Sequence, residues 1–403
     1  MREKLSRLKT NYGYFNAKLR DQDLGFFSKY SVEEEVYPQN SDKFHLEQAV
    51  KHLERSFEST GGRGFASKYD YVSGKFGPLY PEVTGYILNT LYGLKRIKPE
   101  DLDISWVDQA IDSSVASLMD VQLEDGGYTG GHKDMQNYGK SSIFNTGQIL
   151  LGLSEHYLET NDSKVASSLT KAVNFMNSNA TEDGYTADFC YNKRFSSYYS
   201  RAAYGHIKAG KAIGDVKAVE SAVKVSTAIL NRSNPDGSIA EWGFKDQWHV
   251  LHTVIYTLRG LFEVGHEAQD ERFILCAVAG LDWLKEVGPK ISAGSKTVAN
   301  GDLYPKTNNR ELCFTGLAQQ AILAQKLKNL GYAVDEQFNI YTPIALLKGH
   351  QFVGCEQSSI SGSLPGCKPL NGAYQPLSSP IWAVKFFIDA LLQESNQDFE
   401  VQG

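Results

Sequence analysis

At 100° per residue, the stretch Gln247–Gly265 places Leu251, Val254, Ile255, Leu258, Leu261 and Phe262 on one side of a helix. His249, His252, Tyr256 and Arg259 form a neighbouring stripe at i, i+3, i+7 and i+10. Thr253, Thr257 and Gly260 fill what remains. No side of this helix belongs to bulk water. The pattern therefore predicts an interior helix that shows a cavity a row of polar and titratable groups. A buried helix whose polar residues satisfy one another would carry the same pattern.

From Phe44 the chain repeats one theme, a helix, a Gly-rich loop and a second helix. The predicted pairs are His45–Phe57 with Pro81–Leu94, Trp106–Gln122 with Asn145–Leu158, and Val165–Asn177 with Tyr199–Ala212. Ala218–Asn231 with His249–Val264, Arg272–Val287 with Phe314–Leu330, and Tyr341–Val353 with Pro380–Glu394 complete the set. Long loops such as GGRGF…YDYVSGKFGPLY, LEDGGYTGG and NPDGSIAEWGF lie inside the units, whereas short links such as Ile213–Lys217 join them. Six αα-hairpins with that asymmetry predict an all-α (α/α)6 toroid over residues 44–403. First helices form the outer ring, second helices the inner ring, and the long loops gather at one mouth. Residues 1–43 are polar and charged and read as an N-terminal extension that packs on the body or binds a partner. The inner helices would all aim their N-termini at the mouth, where their partial positive charge favours an anionic ligand.

Composition narrows the function. A net charge of −6 with scattered basic residues argues against nucleic acid as the main partner. No apolar run reaches membrane-spanning length and the N-terminus lacks an apolar signal segment, so the expected location is the cytoplasm. The five cysteines have no framework spacing. No P-loop, GxGxxG, GxSxG or HExxH arrangement is present, and no cofactor is expected.

YPEVTGYILNTLYGL, FNTGQILLGL, LHTVIYTLRGL and GAYQPLSSPIWAVKFFIDALL, in that order, resemble a family of six-hairpin proteins encoded in bacterial exopolysaccharide and capsule biosynthesis clusters. The resemblance runs from about Leu46 to Leu392 and implies the toroid fold, a role in surface-polysaccharide metabolism, and a glycan or lipid-linked sugar as substrate. HVLHTVIYTLRGLFEV also looks, more loosely, like a helix of the C-terminal domain of glucuronyl C5-epimerases. The wider toroid group implied by the likeness includes terpene cyclases, protein prenyltransferase β-subunits, polysaccharide lyases and glycoside hydrolases. QLEDGGYTGG is similar to the Gln-Asp-Gly repeat of terpene cyclases, but the DxDD and DDxxD acids of those enzymes are absent.

Three chemistries suit the residues at the predicted mouth. Lyase or epimerase action on an acidic glycan needs a base, an acid and a group that neutralises the carboxylate. Asn145, His249, His252, Tyr256 and Glu82 are the catalytic candidates, with Tyr80, Arg201 and Arg259 around them. Arg259 has a second reading, as a buried cation paired with Glu263. Glycoside hydrolysis needs two carboxylates about 5–9.5 Å apart, for which Glu82 and Glu241 are the candidates. Asp125, Asp183 and Asp236 each precede Gly in a turn element. Asp188-Phe189-Cys190 followed by Tyr is similar to a zinc-binding element of prenyltransferase β-subunits, with His252 downstream, but its place outside a helix departs from that family. Tyr128, Trp242, Trp248, Tyr304, Tyr374 and Trp382 suit stacking on sugar rings or, alternatively, loop and core packing. A non-catalytic glycan-binding or scaffold role, with the extension as its docking arm, stays open beside the enzymatic ones.

Overall fold

A computed structural model of the chain describes Tyr12 and residues 40–244, 250–287, 312–354, 359–372 and 374–395. Twelve α-helices fall among them, in six pairs. The pairs are α1 (Asp42–Ser59) with α2 (Pro81–Ile97), α3 (Val107–Met119) with α4 (Ile143–Thr160), and α5 (Ser163–Asn179) with α6 (Ser200–Ile213). They continue as α7 (Val216–Leu230) with α8 (Leu251–Ala268), α9 (Glu271–Val287) with α10 (Phe314–Asn329), and α11 (Thr342–His350) with α12 (Ile381–Ser395). Each even-numbered helix packs on the next, and α12 returns to α2, which closes the inner ring. The odd-numbered helices lie outside it, α1 against α12, α7 against α6 and α9 against α8. The fold is an (α/α)6 toroid.

The two rings differ in the way their sequences differ. Outer α1 buries Leu46, Ala49, Val50, Leu53 and Phe57, one stripe of an amphipathic helix. Inner α2 buries every residue from Pro81 to Leu94. Such helices approach closely only where side chains are missing. A Cβ on Gly205 would stand 1.8 Å from the Gly147 carbonyl oxygen, and one on Gly152 1.9 Å from that of Gly85. Backbone therefore meets backbone where α6 crosses α4 and where α4 crosses α2.

Short strands knit the loops. β1 (Lys68–Asp70) pairs antiparallel with β2 (Lys75–Phe76) on one side and with β7 (Ser378–Pro380) on the other. The first unit's loop is thereby joined to the last unit's. β3 (Ala180–Thr181) pairs with β4 (Gly184–Tyr185), and β5 (Leu312–Cys313) with β6 (Cys367–Lys368). Pro380 ends β7 instead of opening α12, because its neighbours Ser378 and Ser379 pair with β1. The last outer helix is shorter than the periodicity predicts, and a π-helical turn at Gln337–Tyr341 leads into it. α1 starts at Asp42, with the Ser41 hydroxyl accepting from the Phe44 amide at 3.3 Å; apart from Tyr12, residues 1–39 of the expected extension lie outside the described residues. No described helix is long and apolar enough to cross a membrane.

Candidate functional site

The N-terminal turns of the inner helices converge as the hairpin order predicts. Tyr80 precedes α2 without a side-chain cap and Pro81 holds the first helical position, so Glu82 enters the first turn. Phe144 stands in the first turn of α4, His252 in that of α8 and Trp382 in that of α12. Together with Tyr86, Tyr191, Tyr198, Tyr256 and Tyr374 they line a cavity of about 440 Å³, within the size range of small-ligand sites.

Glu82 is the one carboxyl among the described residues that line it. Its Oε2 accepts from the Tyr80 hydroxyl at 2.9 Å and from the Tyr191 hydroxyl at 3.3 Å. Burial pushes the carboxyl up to about 7, against the opposing pull of the two phenols. Both phenols address Oε2, which leaves Oε1 to carry the proton of the neutral acid. Tyr191 also donates to Asn145 Oδ1, which accepts from the Ser142 hydroxyl at 2.8 Å. A phenol has one proton to give. Asn145 Oδ1 and Glu82 Oε2 therefore share the Tyr191 donor.

Across the cavity, His252 Nδ1 lies 2.7 Å from Gln319 Nε2, so Nδ1 is the acceptor and Nε2 carries the hydrogen. Burial, and then the nearby Arg201 charge, bring the imidazole down to about 3, and it is neutral at neutral pH. Its ring lies 4.2 Å from that of Tyr256 and 5.5 Å from that of Tyr374. The Tyr374 hydroxyl accepts from Trp382 Nε1 at 3.0 Å, which fixes two of the aromatic walls.

The other candidate residues are placed differently. Arg201 is fully buried behind Tyr256, its guanidinium 5.7 Å from that ring and 5.2 Å from the Tyr204 ring, with Nε and Nη1 meeting no partner among the described residues. Arg259 is also fully buried, with Nη2 3.7 Å from Glu263 Oε1, which is the structural reading of that residue. Neither lines the cavity. Glu241 lies outside the cavity and pairs with Arg194 at 3.0 Å and Arg232 at 2.8 Å, so it forms no acid pair with Glu82. Tyr128 is buried with its hydroxyl 2.6 Å from the Ser168 hydroxyl, and Trp242 is buried 4.9 Å from the Trp283 ring. Both pack loops onto outer helices instead of facing a ligand. Asp125 and Asp236 accept from the amides two residues on, at 3.0 and 2.9 Å, as turn residues do.

The Asp188, Cys190 and His252 set does not assemble. Asp188 lies 3.6 Å from Lys193, the Cys190 thiol donates to the Thr186 carbonyl, and His252 is engaged with Gln319. Among the described residues no group of three or more such side chains is placed to hold a metal. His249, Trp248 and Tyr304 lie outside the described residues. Tyr191 was the residue that sequence reasoning passed over. It follows Cys190 in the element singled out for zinc, and the phenol of that element is what reaches the site.

No protein-family profile matches the sequence, and no curated protein sequence matches it. Solved structures do match the fold. An unsaturated glucuronyl hydrolase from Streptococcus agalactiae superposes with a TM-score of 0.67 at 14% identity, over 90% of this chain and 93% of that one. One from Bacillus sp. GL1 gives 0.68 at 11% identity, over 88% and 97%. An unsaturated glucuronyl hydrolase specific for heparin gives 0.67 at 14%, over 88% and 97%. At these identities the likeness is one of architecture: the chain has the (α/α)6 toroid fold that the unsaturated glucuronyl hydrolases have.

Proposed function

We propose that the chain is a carbohydrate-active enzyme that receives the terminal residue of an acidic glycan in the aromatic cavity and protonates it from Glu82. The observation that carries this is the Glu82 carboxyl, pushed by burial to about 7 and set among tyrosine hydroxyls in an aromatic cavity. An acid poised near neutrality is what general-acid catalysis asks for. Aromatic walls suit the apolar faces of a sugar ring. The N-terminal turns of the inner helices that meet at the cavity favour an anionic ligand.

Lyase or epimerase chemistry would need a cation on the substrate carboxylate. No lysine or arginine is among the described residues that line the cavity. Paired-carboxylate hydrolysis would need a second acid, and Glu241 is engaged elsewhere. Hydration of an unsaturated uronic acid residue needs one acid. Its ring double bond is a vinyl ether, so a proton delivered to C4 leaves a cation at C5 that the ring oxygen stabilises. Water adds at C5, a proton returns to the carboxylate, and the resulting hemiketal opens with release of the attached sugar. The fold shared with unsaturated glucuronyl hydrolases supports this reaction. The sequence resemblance supports a setting in bacterial surface-polysaccharide metabolism, with the segment before α1 as our candidate for docking a partner protein.

The test is the loss of ultraviolet absorbance when the protein meets unsaturated disaccharides released by polysaccharide lyases. Glu82→Gln is expected to slow that loss by about 10²–10⁴-fold with the fold intact. A Glu82→Gln protein working at the wild-type rate refutes the assignment. A protein that binds these sugars and alters none of them has a binding role instead.

A further inference from the structure

A second hollow of about 250 Å³ lies beside the cavity, with Arg63, Leu79, Pro81, Lys133 and Tyr138 among its lining. Two segments separate it from the first. Leu79 and Pro81 face the hollow while Tyr80 between them faces the cavity, and Lys133 and Tyr138 face the hollow while Met135 between them faces the cavity. The two segments meet where the His132 ring packs edge-on against Tyr80 at 5.7 Å.

Arg63 and Lys133 have no hydrogen bond or carboxylate partner among the described residues. In a chain of net charge −6, two unpaired cations on one hollow are a local reversal of sign. Both are held on ordered backbone. The turn that presents Arg63 is pinned to α2, with the Phe65 amide donating to Thr84 Oγ1 at 3.0 Å and the Tyr80 amide to the Phe65 carbonyl at 2.9 Å. Gly64 makes the close approach: a Cβ there would stand 2.8 Å from Thr84 Oγ1. The Lys133 loop is closed by the Gly130 amide on the Lys140 carbonyl at 2.8 Å and the Gly139 amide on Thr129 Oγ1 at 2.6 Å. Tyr138 is 42% exposed, a ring presented to solvent by the same loop.

We propose that this hollow is a second glycan subsite, in which Arg63 and Lys133 bind an anionic sugar residue and Tyr138 stacks on its ring. It continues the site whose first position is the Glu82 cavity, and it rests on the reading of that cavity as a glycan site. The anion is a sulfate or a carboxylate; the cation pair accepts either.

The experiment measures binding of end-labelled oligosaccharides to the intact Glu82→Gln protein, with and without the added pair Arg63→Ser and Lys133→Ser. A heparin hexasaccharide carries sulfates and carboxylates, a hyaluronan hexasaccharide carboxylates alone, and maltohexaose neither. The serine pair is expected to weaken heparin binding at least about fivefold and to flatten its salt dependence, with maltohexaose unchanged. Weakened heparin binding alone assigns the subsite to sulfate; weakened binding of both assigns it to any anionic sugar. Tyr138→Ala weakens binding further, and Tyr138→Phe restores it. Equal affinity of both proteins for both anionic hexasaccharides overturns the subsite and leaves the Glu82 reading standing. Turnover unaffected by Glu82→Gln, together with weakened hexasaccharide binding in the serine pair, overturns the acid and leaves the subsite.

Discussion

Glu82 is pulled two ways. Its place in the first turn of α2 favours the charged form through the helix dipole, as do the phenols of Tyr80 and Tyr191. Burial favours the neutral form and wins. The carboxyl's contribution to stability is therefore fully present below its ordinary value of 4.5 and is lost as pH rises through about 7, by roughly 3 kcal/mol over the interval. Glu82→Gln, which cannot ionise, should remove that decline in chemical-denaturation curves taken from pH 5 to pH 9. Wild-type activity should fall as pH rises through about 7. Tyr191→Phe removes a hydrogen bond that favours the carboxylate, so the alkaline limb of the rate profile should move to higher pH. A limb that stays fixed or moves down would dissociate Tyr191 from the acid. The place of Glu82 at the cavity was readable from a carboxylate at a helix start, whereas that of Tyr191 was not, because a loop tyrosine declares no direction until the loop is folded. The depth of Arg201 and Arg259 was illegible for a related reason. A helical stripe shows which residues share a face but not how deep each one lies.

At the scale of elements, periodicity carried most of the fold, because an inner helix buried all round and an outer helix buried on one stripe leave different marks on a sequence. Gly-rich turns marked the loops just as clearly. The pairing of β1 with β7 left no such mark, since each strand is three residues long and its partner lies at the other end of the chain. The glycines of the inner ring make a sharper statement. Gly205→Ala drives a methyl into the Gly147 carbonyl and must push α6 away from α4. The expected cost is about 1–3 kcal/mol or more, read as a lower denaturation midpoint. Because α6 leads to Tyr198 and α4 carries Asn145, the same substitution should also weaken ligand binding at the cavity. An unchanged midpoint would mean that the Gly205–Gly147 crossing has room for a methyl group.

The whole molecule is a ring whose interior is polar where an ordinary core would be oily. Lys385 and Asp389 meet at 2.5 Å, with Thr90 donating to Asp389 at 2.7 Å, so α12 and α2 are tied through charge as well as shape. Those two helices belong to the last and the first units. The antiparallel contact of β1 with β7 and the packing of α1 on α12 make the same junction from the mouth and from outside. In a closed ring of six units the junction of the last unit with the first is made by the same kind of inner-helix packing as the other five. Linking Ser395 to Ser41 and opening the backbone between Gly214 and Asp215 should therefore yield a circular permutant that folds, keeps the Glu82 cavity and binds the same sugars, because the seam would merely have moved around the circle.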